Sequence, residues 1–309
     1  MKRFRNILFV ADRSDGLSIA LDRAVALSQS NDARLTIMDV APDAGLAGLV
    51  QQAYDIDLNA QLRRQRLEIL ETLAASYTDA GIPVYTTVVT GTPFIEIVHS
   101  VLRNGHDLVM KVAQQDSGPA PWLFGSSDLH LLRKCPCPVW IDHPGAAASY
   151  RHLLAAVDPF DDESGDLQHL ILDLATSLAA REQAKLDVLH AWELPGESML
   201  ANGRGRIPRL ELELMLQQRE QCHRAALDAL LQSYGLSSAA DNVHLVKGRP
   251  ARIISARARD WRSDLIVMGT LGRTGIPGLI IGNTAEDVLR QTQTAVLAVK
   301  PGSFISPVA

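Results

Sequence analysis

The sequence has few of the features that mark disulfide scaffolds, membrane proteins or nucleic-acid-binding proteins. Among 309 residues there are three cysteines, too few and too unevenly placed to suggest a disulfide framework. No apolar run approaches the roughly 18 residues that a membrane-spanning helix needs, and the apolar stretch near the start is too short for a secretory signal. The net charge of −5 gives no general attraction to nucleic acid. We therefore expect a cytoplasmic protein that has no membrane span and does not bind nucleic acid.

What the sequence does contain is an internal repeat. Residues 84–142 align without a gap on residues 241–299, at a constant offset of 157. The matched pairs include Gly91 with Gly248, Pro93 with Pro250 and Val139 with Val296. Near the start of each half, ILFVAD (7–12) lies on LLAAVD (153–158). Because these matches are collinear, they indicate two copies of one structural unit.

The two predicted units, residues 1–147 and 148–309, each contain strand patterns that alternate with helix patterns. In the second unit DLIVMG (264–269) is an apolar run of strand length, and it precedes the helical pattern TAEDVLRQTQ (284–293). Such alternation implies parallel strand pairing with right-handed crossovers. Nearly continuous apolar strands suit a sheet that is covered on both faces. The predicted fold class is α/β, with two tandem doubly wound open parallel β-sheet domains.

The segment GTLGRTGIPGLIIGNTAEDVL (269–289) concentrates glycine after a predicted strand. Gly269, Gly272 and Gly282 follow the spacing G-x2-G-x9-G. Glycine lets a ligand approach the backbone closely, and consecutive N–H groups then form a nest for anionic oxygens. Arg273 can add a charge-assisted hydrogen bond. This pattern at the carboxyl end of a strand favours a polyphosphate ligand, and the strand-end position favours a nucleotide.

The end of the same segment predicts the start of a helix. Gly282, Asn283 and Thr284 stand where free N–H groups and the helix dipole attract phosphate. Asn283 with Glu286, or Thr284 with Asp287, also has the spacing of a capping box, which is a purely structural alternative. Both interpretations stay open at the level of residue spacing. The segment is neither a Walker A loop nor the dinucleotide-binding fingerprint.

The glycine segment, the first strand of the second unit ending in Asp158, and the KGRP turn (247–250) resemble the universal stress protein family. In that family, G-x2-G-x9-G followed by a hydroxyl residue marks the ATP binders. The tandem layout resembles the two-domain type in particular, and the resemblance covers nearly the whole chain. Asn283 stands where many ATP-binding members have Ser or Thr, and Thr284 follows it. The resemblance implies the universal stress protein, or adenine nucleotide α-hydrolase-like, fold and ATP as the cofactor, with Mg²⁺ arriving on the nucleotide.

The resemblance also implies a role for individual residues of the second unit. Asp158 would face the adenosine, and Ala191 would line the base pocket beside His190, which we expect to be a satisfied core histidine. Met268 and Gly269 would lie near the ribose. The phosphates would be held by Gly272, Arg273, Gly282, Asn283 and Thr284. No general base is evident near the glycine segment, so no catalytic residue is assigned and at most slow ATP hydrolysis is expected.

The first unit departs from this pattern. Val112 replaces Gly269 and Gln115 replaces Gly272, whereas Gly125 retains the third glycine. We therefore expect that the first unit does not bind ATP in the manner of the family. It would hold another ligand or act as a built-in dimer partner. Family members usually pair through their last strands, so the resemblance implies an internal pseudo-dimer in which CPCPVWID (135–142) meets TAVLAVKP (294–301).

Two further clusters have structural explanations that we favour over metal binding. Cys135 and Cys137 lie near two histidines, but their spacing is unusual for structural zinc and the prolines indicate the entrance to a strand. The acidic stretch DPFDDESGD (158–166) fits an acidic helix start better than a metal cage. The favoured function is a stress-response regulatory protein that binds adenine nucleotide and unnamed protein partners. The alternatives are a slow ATPase and a carrier of a small or lipid-like molecule, and a further homodimer stays open.

Overall fold

The computed structural model describes residues 3–12, 15–43, 57–114, 124–160, 166–203, 206–270 and 282–308. The first unit contains strands β1 (Asn6–Val10), β2 (Arg34–Ala41), β3 (Val84–Thr90), β4 (Leu108–Val112) and β5 (Val139–Asp142), with helices α1 (Leu17–Asn31), α2 (Leu58–Asp79), α3 (Pro93–Asn104) and α4 (Ser126–Lys134). The second unit contains strands β6 (His152–Ala156), β7 (Lys185–Trp192), β8 (Val243–Lys247), β9 (Leu265–Gly269) and β10 (Ala295–Val299). Its helices are α5 (Leu167–Glu182), α6 (Glu197–Asn202), α7 (Arg209–Leu231), α8 (Pro250–Asp260) and α9 (Asn283–Gln291).

The strands form one ten-stranded sheet in the order β3-β2-β1-β4-β5-β10-β9-β6-β7-β8. Within each unit the paired strands are parallel. The units join where β5 pairs antiparallel with β10, which places Leu297 opposite Trp140. The predicted α/β class and the internal pseudo-dimer are therefore confirmed, with the last strand of each unit at the junction.

Helices cover the sheet on both faces. Alternate side chains of β1 enter different cores: Ile7 and Phe9 pack with helices α1, α2, α5 and α7, whereas Leu8 and Val10 pack with α3, α4, α8 and α9. Each β1 residue from Ile7 to Val10 is buried. This burial on both sides explains the nearly continuous apolar strands of the sequence. In the described parts of the chain, no helix is both long and apolar enough to cross a membrane.

The sequence repeat has a counterpart in the backbone. Gly91 and Gly248 precede α3 and α8 with φ of 149° and 147°, a conformation that few side chains tolerate. The Gly91 N–H donates to the carbonyl of Ala41 at 3.0 Å, and the Gly248 N–H donates to that of Trp192 at 2.7 Å. Pro93 and Pro250 then begin the helices, where a missing N–H does no harm. Equivalent sequence positions thus make equivalent hydrogen bonds.

A buried polar cluster closes the first unit where the chain leaves β5. The Tyr150 hydroxyl donates to Asp142 Oδ1 at 2.7 Å, and the indole N–H of Trp140 donates to the Tyr150 oxygen at 3.2 Å. Arg23 of α1 forms a buried ion pair with Asp142, and its guanidinium lies 4.0 Å from the centre of the Tyr150 ring. These contacts fix the segment that joins the units to the first unit at this point.

Candidate functional site

The strand register brings the predicted site residues to one edge of the sheet. Ala156 of β6 lies level with Leu189 of β7 and with Met268 of β9. Asp158 and Ala191, each two residues further on, therefore lie at the same carboxyl edge. In the order β10-β9-β6-β7-β8, β6 and β9 are neighbours. The chain leaves β6 toward β7 on one side and leaves β9 toward β10 on the other, so the connections diverge between these two strands. Such a switch point is where open α/β sheets bind their ligands.

Asp158 is held in a tight turn directly after β6. Its carboxylate Oδ1 accepts the N–H of Phe160 at 3.2 Å, and its own N–H donates to Gln168 Oε1 of α5 at 2.9 Å. An aspartate that binds the backbone two residues on stabilises a turn of this kind. The side chain is half-buried at the edge of the site, so its turn role does not prevent it from facing a ligand.

Met268 and Gly269 contribute mainly packing. The Met268 side chain is 4% exposed and lies in the core that includes Ala285, which leaves its backbone as the part at the sheet edge. A Cβ placed on Gly269 would lie 3.1 Å from Leu167 Cδ2. Glycine at this position therefore lets the start of α5 approach the end of β9, independently of any ligand.

The start of α9 is fixed next to the end of β9. The Gly282 N–H donates to the carbonyl of Thr270 at 2.7 Å, and the Thr270 N–H donates to that of Val299 at 3.1 Å. Gly282 is the N-cap residue of α9 and makes no side-chain cap hydrogen bond, while Asn283 and Thr284 are exposed. The predicted phosphate-binding residues Gly272 and Arg273 lie outside the described residues.

The capping-box alternative is wrong for this helix. The Glu286 carboxylate binds Arg290 at 2.8 Å and Arg133 of the first unit at 2.8 Å. Hydrogen bonds from these two arginines lower the pKa of Glu286 below its usual range. Asp287 instead approaches Arg249 at 3.5 Å. Among the described residues, no side chain caps the N–H groups in the first turn of α9.

An aromatic and histidine cluster borders the site beside β7. His190 is buried, as predicted, with Nδ1 3.1 Å from the carbonyl of Val157 and Nε2 2.8 Å from Nδ1 of His223 on α7. Because a carbonyl only accepts, His190 Nδ1 carries a proton. The His223 ring also packs 4.6 Å from Phe160 and 5.3 Å from Trp192. Spacing could not identify His223, because it lies 33 residues from His190 on a different element.

The equivalent edge of the first unit is filled by a buried ion network. Lys111, at the offset position of Met268, lies 2.5 Å from Asp128 Oδ1 and 3.0 Å from Asp12 Oδ2, and it also donates to the carbonyl of Val112 at 2.7 Å. The Gln114 N–H donates to Asp128 Oδ2 at 2.9 Å. Burial would lower the pKa of Lys111, but the Asp128 and Asp12 carboxylates outweigh it and raise that pKa. Lys111 is therefore a charged lysine whose three donors are engaged.

The two units consequently differ in charge at the start of the equivalent helices. In α4 the buried Asp128 carboxylate occupies the first turn, whereas α9 has Ala285 at the offset position. A carboxylate repels phosphate, while free N–H groups and the positive end of the helix dipole attract it. At this edge the first unit therefore carries a carboxylate that is paired with Lys111, and the second unit has a small apolar side chain.

The described residues contain no group of three or more histidine, cysteine, aspartate or glutamate side chains arranged for a metal ion. Cys135 and Cys137 lie with their sulfurs 3.5 Å apart, and most of the acidic stretch, residues 161–165, lies outside the described ranges.

Comparisons with known proteins agree with this architecture. The model of the family described as "Universal stress protein family" matches residues 3–143 and again residues 149–300. Universal stress protein E of Escherichia coli K12 is 29% identical over all of this chain and 98% of its own length, and the Haemophilus influenzae homologue is 24% identical over 97% and 98%.

Two solved structures share the fold over nearly the whole chain. A functionally unknown protein from Pseudomonas aeruginosa PAO1 is 25% identical with a TM-score of 0.74, and the two chains are covered to 97% and 94%. A universal stress protein from Archaeoglobus fulgidus is 20% identical with a TM-score of 0.66, covering 96% and 98%. With two family matches that together span most of its length, the chain belongs to the universal stress protein family, as a tandem member with two such domains.

Proposed function

We propose that this chain is a cytoplasmic stress-response regulatory protein that binds ATP in its second unit, at the carboxyl edge of β6, β7 and β9. The first unit then has a structural role or binds a different ligand. The observation that carries the proposal is the start of α9. It lies at the switch point of the sheet, with no side-chain cap from the described residues, and two arginines neutralise the nearby Glu286 carboxylate.

The described residues fit a nucleotide at this edge. The N–H groups of Asn283 and Thr284 would bind phosphate oxygens, which need donors and positive charge, whereas the Gly282 N–H is already bound to the Thr270 carbonyl. Asp158 and Ala191 lie at the same edge, where the ribose and base would be accommodated. Mg²⁺ would come with the nucleotide as its counter-ion. Gly272 and Arg273 complete the proposed phosphate site.

ATP binding would act by favouring one state of the protein. A ligand that binds only the folded form stabilises it by about 2.7 kcal/mol when present at about 100 times its Kd. A ligand that prefers one of two conformations shifts the population toward that conformation. Binding, rather than turnover, is therefore the step that we assign to this site.

The proposal can be tested with one substitution in each unit. Thr284→Glu places a carboxylate in the first turn of α9, where it favours the helix dipole but repels a triphosphate. Ser127→Glu makes the same change at the offset position of α4 and is the matched control. We expect Mg·ATP to raise the Tm of the wild type and of Ser127→Glu, and not that of Thr284→Glu. Equal ATP-induced shifts in the wild type and both variants, or no shift in the wild type, would contradict the proposal.

The same preparations distinguish the alternatives. Multiple-turnover release of ADP by the wild type, lost in Thr284→Glu, would make the protein an ATPase. A non-nucleotide molecule released on denaturation of the wild type would favour the carrier. In the carrier alternative Trp122 and Leu123 of the first unit would line the pocket; both lie outside the described residues, so mass spectrometry of the released small molecules is the direct measurement.

A further inference from the structure

Two thiols and one lysine meet at the junction between the units. Cys135 ends α4, and the Cys137 sulfur lies 3.5 Å from the Cys135 sulfur, within hydrogen-bonding distance. Lys300, directly after β10 of the other unit, donates to the carbonyl of Cys135 at 2.5 Å. The Cys135 and Lys300 side chains are buried, and Cys137 is partly exposed. Neither the fold nor the proposed nucleotide site accounts for this arrangement.

Lys300 has an unusual environment for a lysine. Its amino group contacts the Cys135 carbonyl and lies 4.5 Å from the centre of the Phe304 ring. In the described ranges no carboxylate forms an ion pair with it, and burial lowers its pKa to about 8. A buried ammonium without a carboxylate favours an anion beside it. The Cys135 and Cys137 sulfurs, whose negative charge would raise the pKa of Lys300, can supply that anion.

The thiols share one negative charge when the pair ionises. Burial would raise the pKa of Cys135, but the hydrogen bond from Cys137 and the charge of Lys300 outweigh it and lower that pKa. The hydrogen bond to Cys135, burial and the Asp107 carboxylate raise the pKa of Cys137. The first proton therefore leaves from Cys135, and the Cys137 thiol then donates to the Cys135 thiolate. Thiolates, not thiols, react with oxidants.

We propose that Cys135 and Cys137 are an oxidisable dithiol, which a small hydroperoxide converts to a disulfide and which Lys300 of the second unit holds in its anionic form. The partly exposed Cys137 passes its proton to Cys135, and the resulting Cys137 thiolate attacks one peroxide oxygen. The O–O bond breaks, giving a Cys137 sulfenic acid and hydroxide, which takes the proton from Cys135. The Cys135 thiolate then attacks the Cys137 sulfur, and the S–O bond breaks to release hydroxide. In sum, two thiols and hydrogen peroxide yield one disulfide and two waters.

The sequence offers a direct readout of this reaction. Trypsin cleavage after Lys134 and Arg151 releases both cysteines on one peptide, residues 135–151, while Cys222 lies on a separate peptide. The full-length protein is treated with hydrogen peroxide, free thiols are blocked under denaturing conditions, and the peptides are weighed. We expect peptide 135–151 to lose the mass of two hydrogen atoms and to take up no blocking reagent. Cys222→Ser, which removes the exposed lone thiol, should leave the rate unchanged.

The role of Lys300 is tested by Lys300→Met, which keeps an unbranched apolar side chain in the buried position. Loss of the positive charge raises the pKa of the dithiol, so less thiolate is present at pH 7. Because a thiolate of higher pKa is also more nucleophilic, part of this loss is compensated, and we expect disulfide formation to be about three- to tenfold slower at pH 7. The midpoint of the rate against pH should move upward. If peptide 135–151 of the wild type keeps two free thiols, or is oxidised to sulfinic acid without a disulfide, the proposal is wrong even if Lys300→Met does not fold. An unchanged pH profile in a folded Lys300→Met would refute the role of Lys300.

Discussion

The buried ion network of the first unit predicts a large energetic difference between removing one charge and removing two. The Asp128 side chain is fully buried and binds both Lys111 and the Gln114 N–H. Asp128→Ala therefore leaves a buried ammonium with Asp12 as its remaining carboxylate. Removing one partner of a buried ion pair destabilises a protein by about 3 to 5 kcal/mol. Because Asp12 stays 3.0 Å from Lys111, we expect the lower end, about 3 kcal/mol.

The second unit supplies the apolar replacement for the same pair. Lys111→Met combined with Asp128→Ala reproduces Met268 and Ala285, which are both buried at the equivalent positions. Replacing a buried ion pair by apolar residues is often neutral or stabilising. We therefore expect the double variant to lie within about 1 kcal/mol of the wild type or above it, although it carries the damaging Asp128→Ala change. Asp12, whose side chain is 18% exposed, remains hydrated when Lys111 is lost.

The assay is urea unfolding of the wild type, both single variants and the double variant, followed by circular dichroism. A change in the midpoint at constant m reports stability, and the four proteins form a double-mutant cycle. A single Asp128→Ala that costs less than about 1 kcal/mol would mean that the charge is not buried in solution. A double variant whose destabilisation equals the sum of the two single values would mean that the two changes act independently, and one as unstable as Asp128→Ala would mean that the apolar pair does not replace the ion pair.

Two further predictions concern the second unit. Asp187 is buried and binds Lys185 at 2.8 Å, His244 at 2.7 Å and His152; burial would raise its pKa, but hydrogen bonds from Lys185, His244 and His152 outweigh it and lower that pKa. The ionised Asp187 contributes its full stabilisation above the ordinary aspartate pKa, and this contribution is lost as the pH falls below about 4. Asp187→Asn should therefore flatten the fall in Tm between about pH 5 and pH 3. A fall in Tm as steep as that of the wild type would contradict this. A Cβ on Gly248 would lie 2.9 Å from Ile253 Cδ1, and the backbone there has a φ of 147°. Gly248→Ala should therefore lower the unfolding free energy by about 1 to 3 kcal/mol, whereas the control Gly302→Ala, whose added Cβ would have no atom within 4 Å, should have little effect. Equal urea midpoints for the two variants would refute the backbone strain at Gly248.

The parts of the fold that depend on pattern could be predicted from the sequence. The offset between the halves predicted two units, because each match such as Gly91 with Gly248 reflects one repeated backbone contact. The meeting of their last strands was implied only by the family resemblance. The buried ion network of Lys111 and Asp128 could not be predicted in this way. Lys111 stands inside an apolar strand pattern, and Asp128 is 17 residues further along, so their contact exists only after α4 folds over the end of β4.

Site geometry was predictable only in outline. The position of Asp158 and Ala191 at one edge follows from strand ends in a parallel sheet, which the sequence pattern indicates. The packing function of Gly269 against Leu167 does not, because it depends on how closely α5 approaches β9. The capping-box alternative for Glu286 was wrong because arginines from two different elements bind that carboxylate, and spacing within one helix contains no information about a partner such as Arg133.

The junction of β5 with β10 has an evolutionary consequence. When two identical chains pair through their last strands, every substitution appears twice, so both clefts must change together. Here the paired halves are parts of one chain, and each can accumulate substitutions independently. Lys111 with Asp128 on one side, and Met268 with Ala285 on the other, show this independence, because equivalent buried positions hold an ion pair in one half and apolar side chains in the other. Covalent linkage thus removes the requirement that the two paired units stay symmetric.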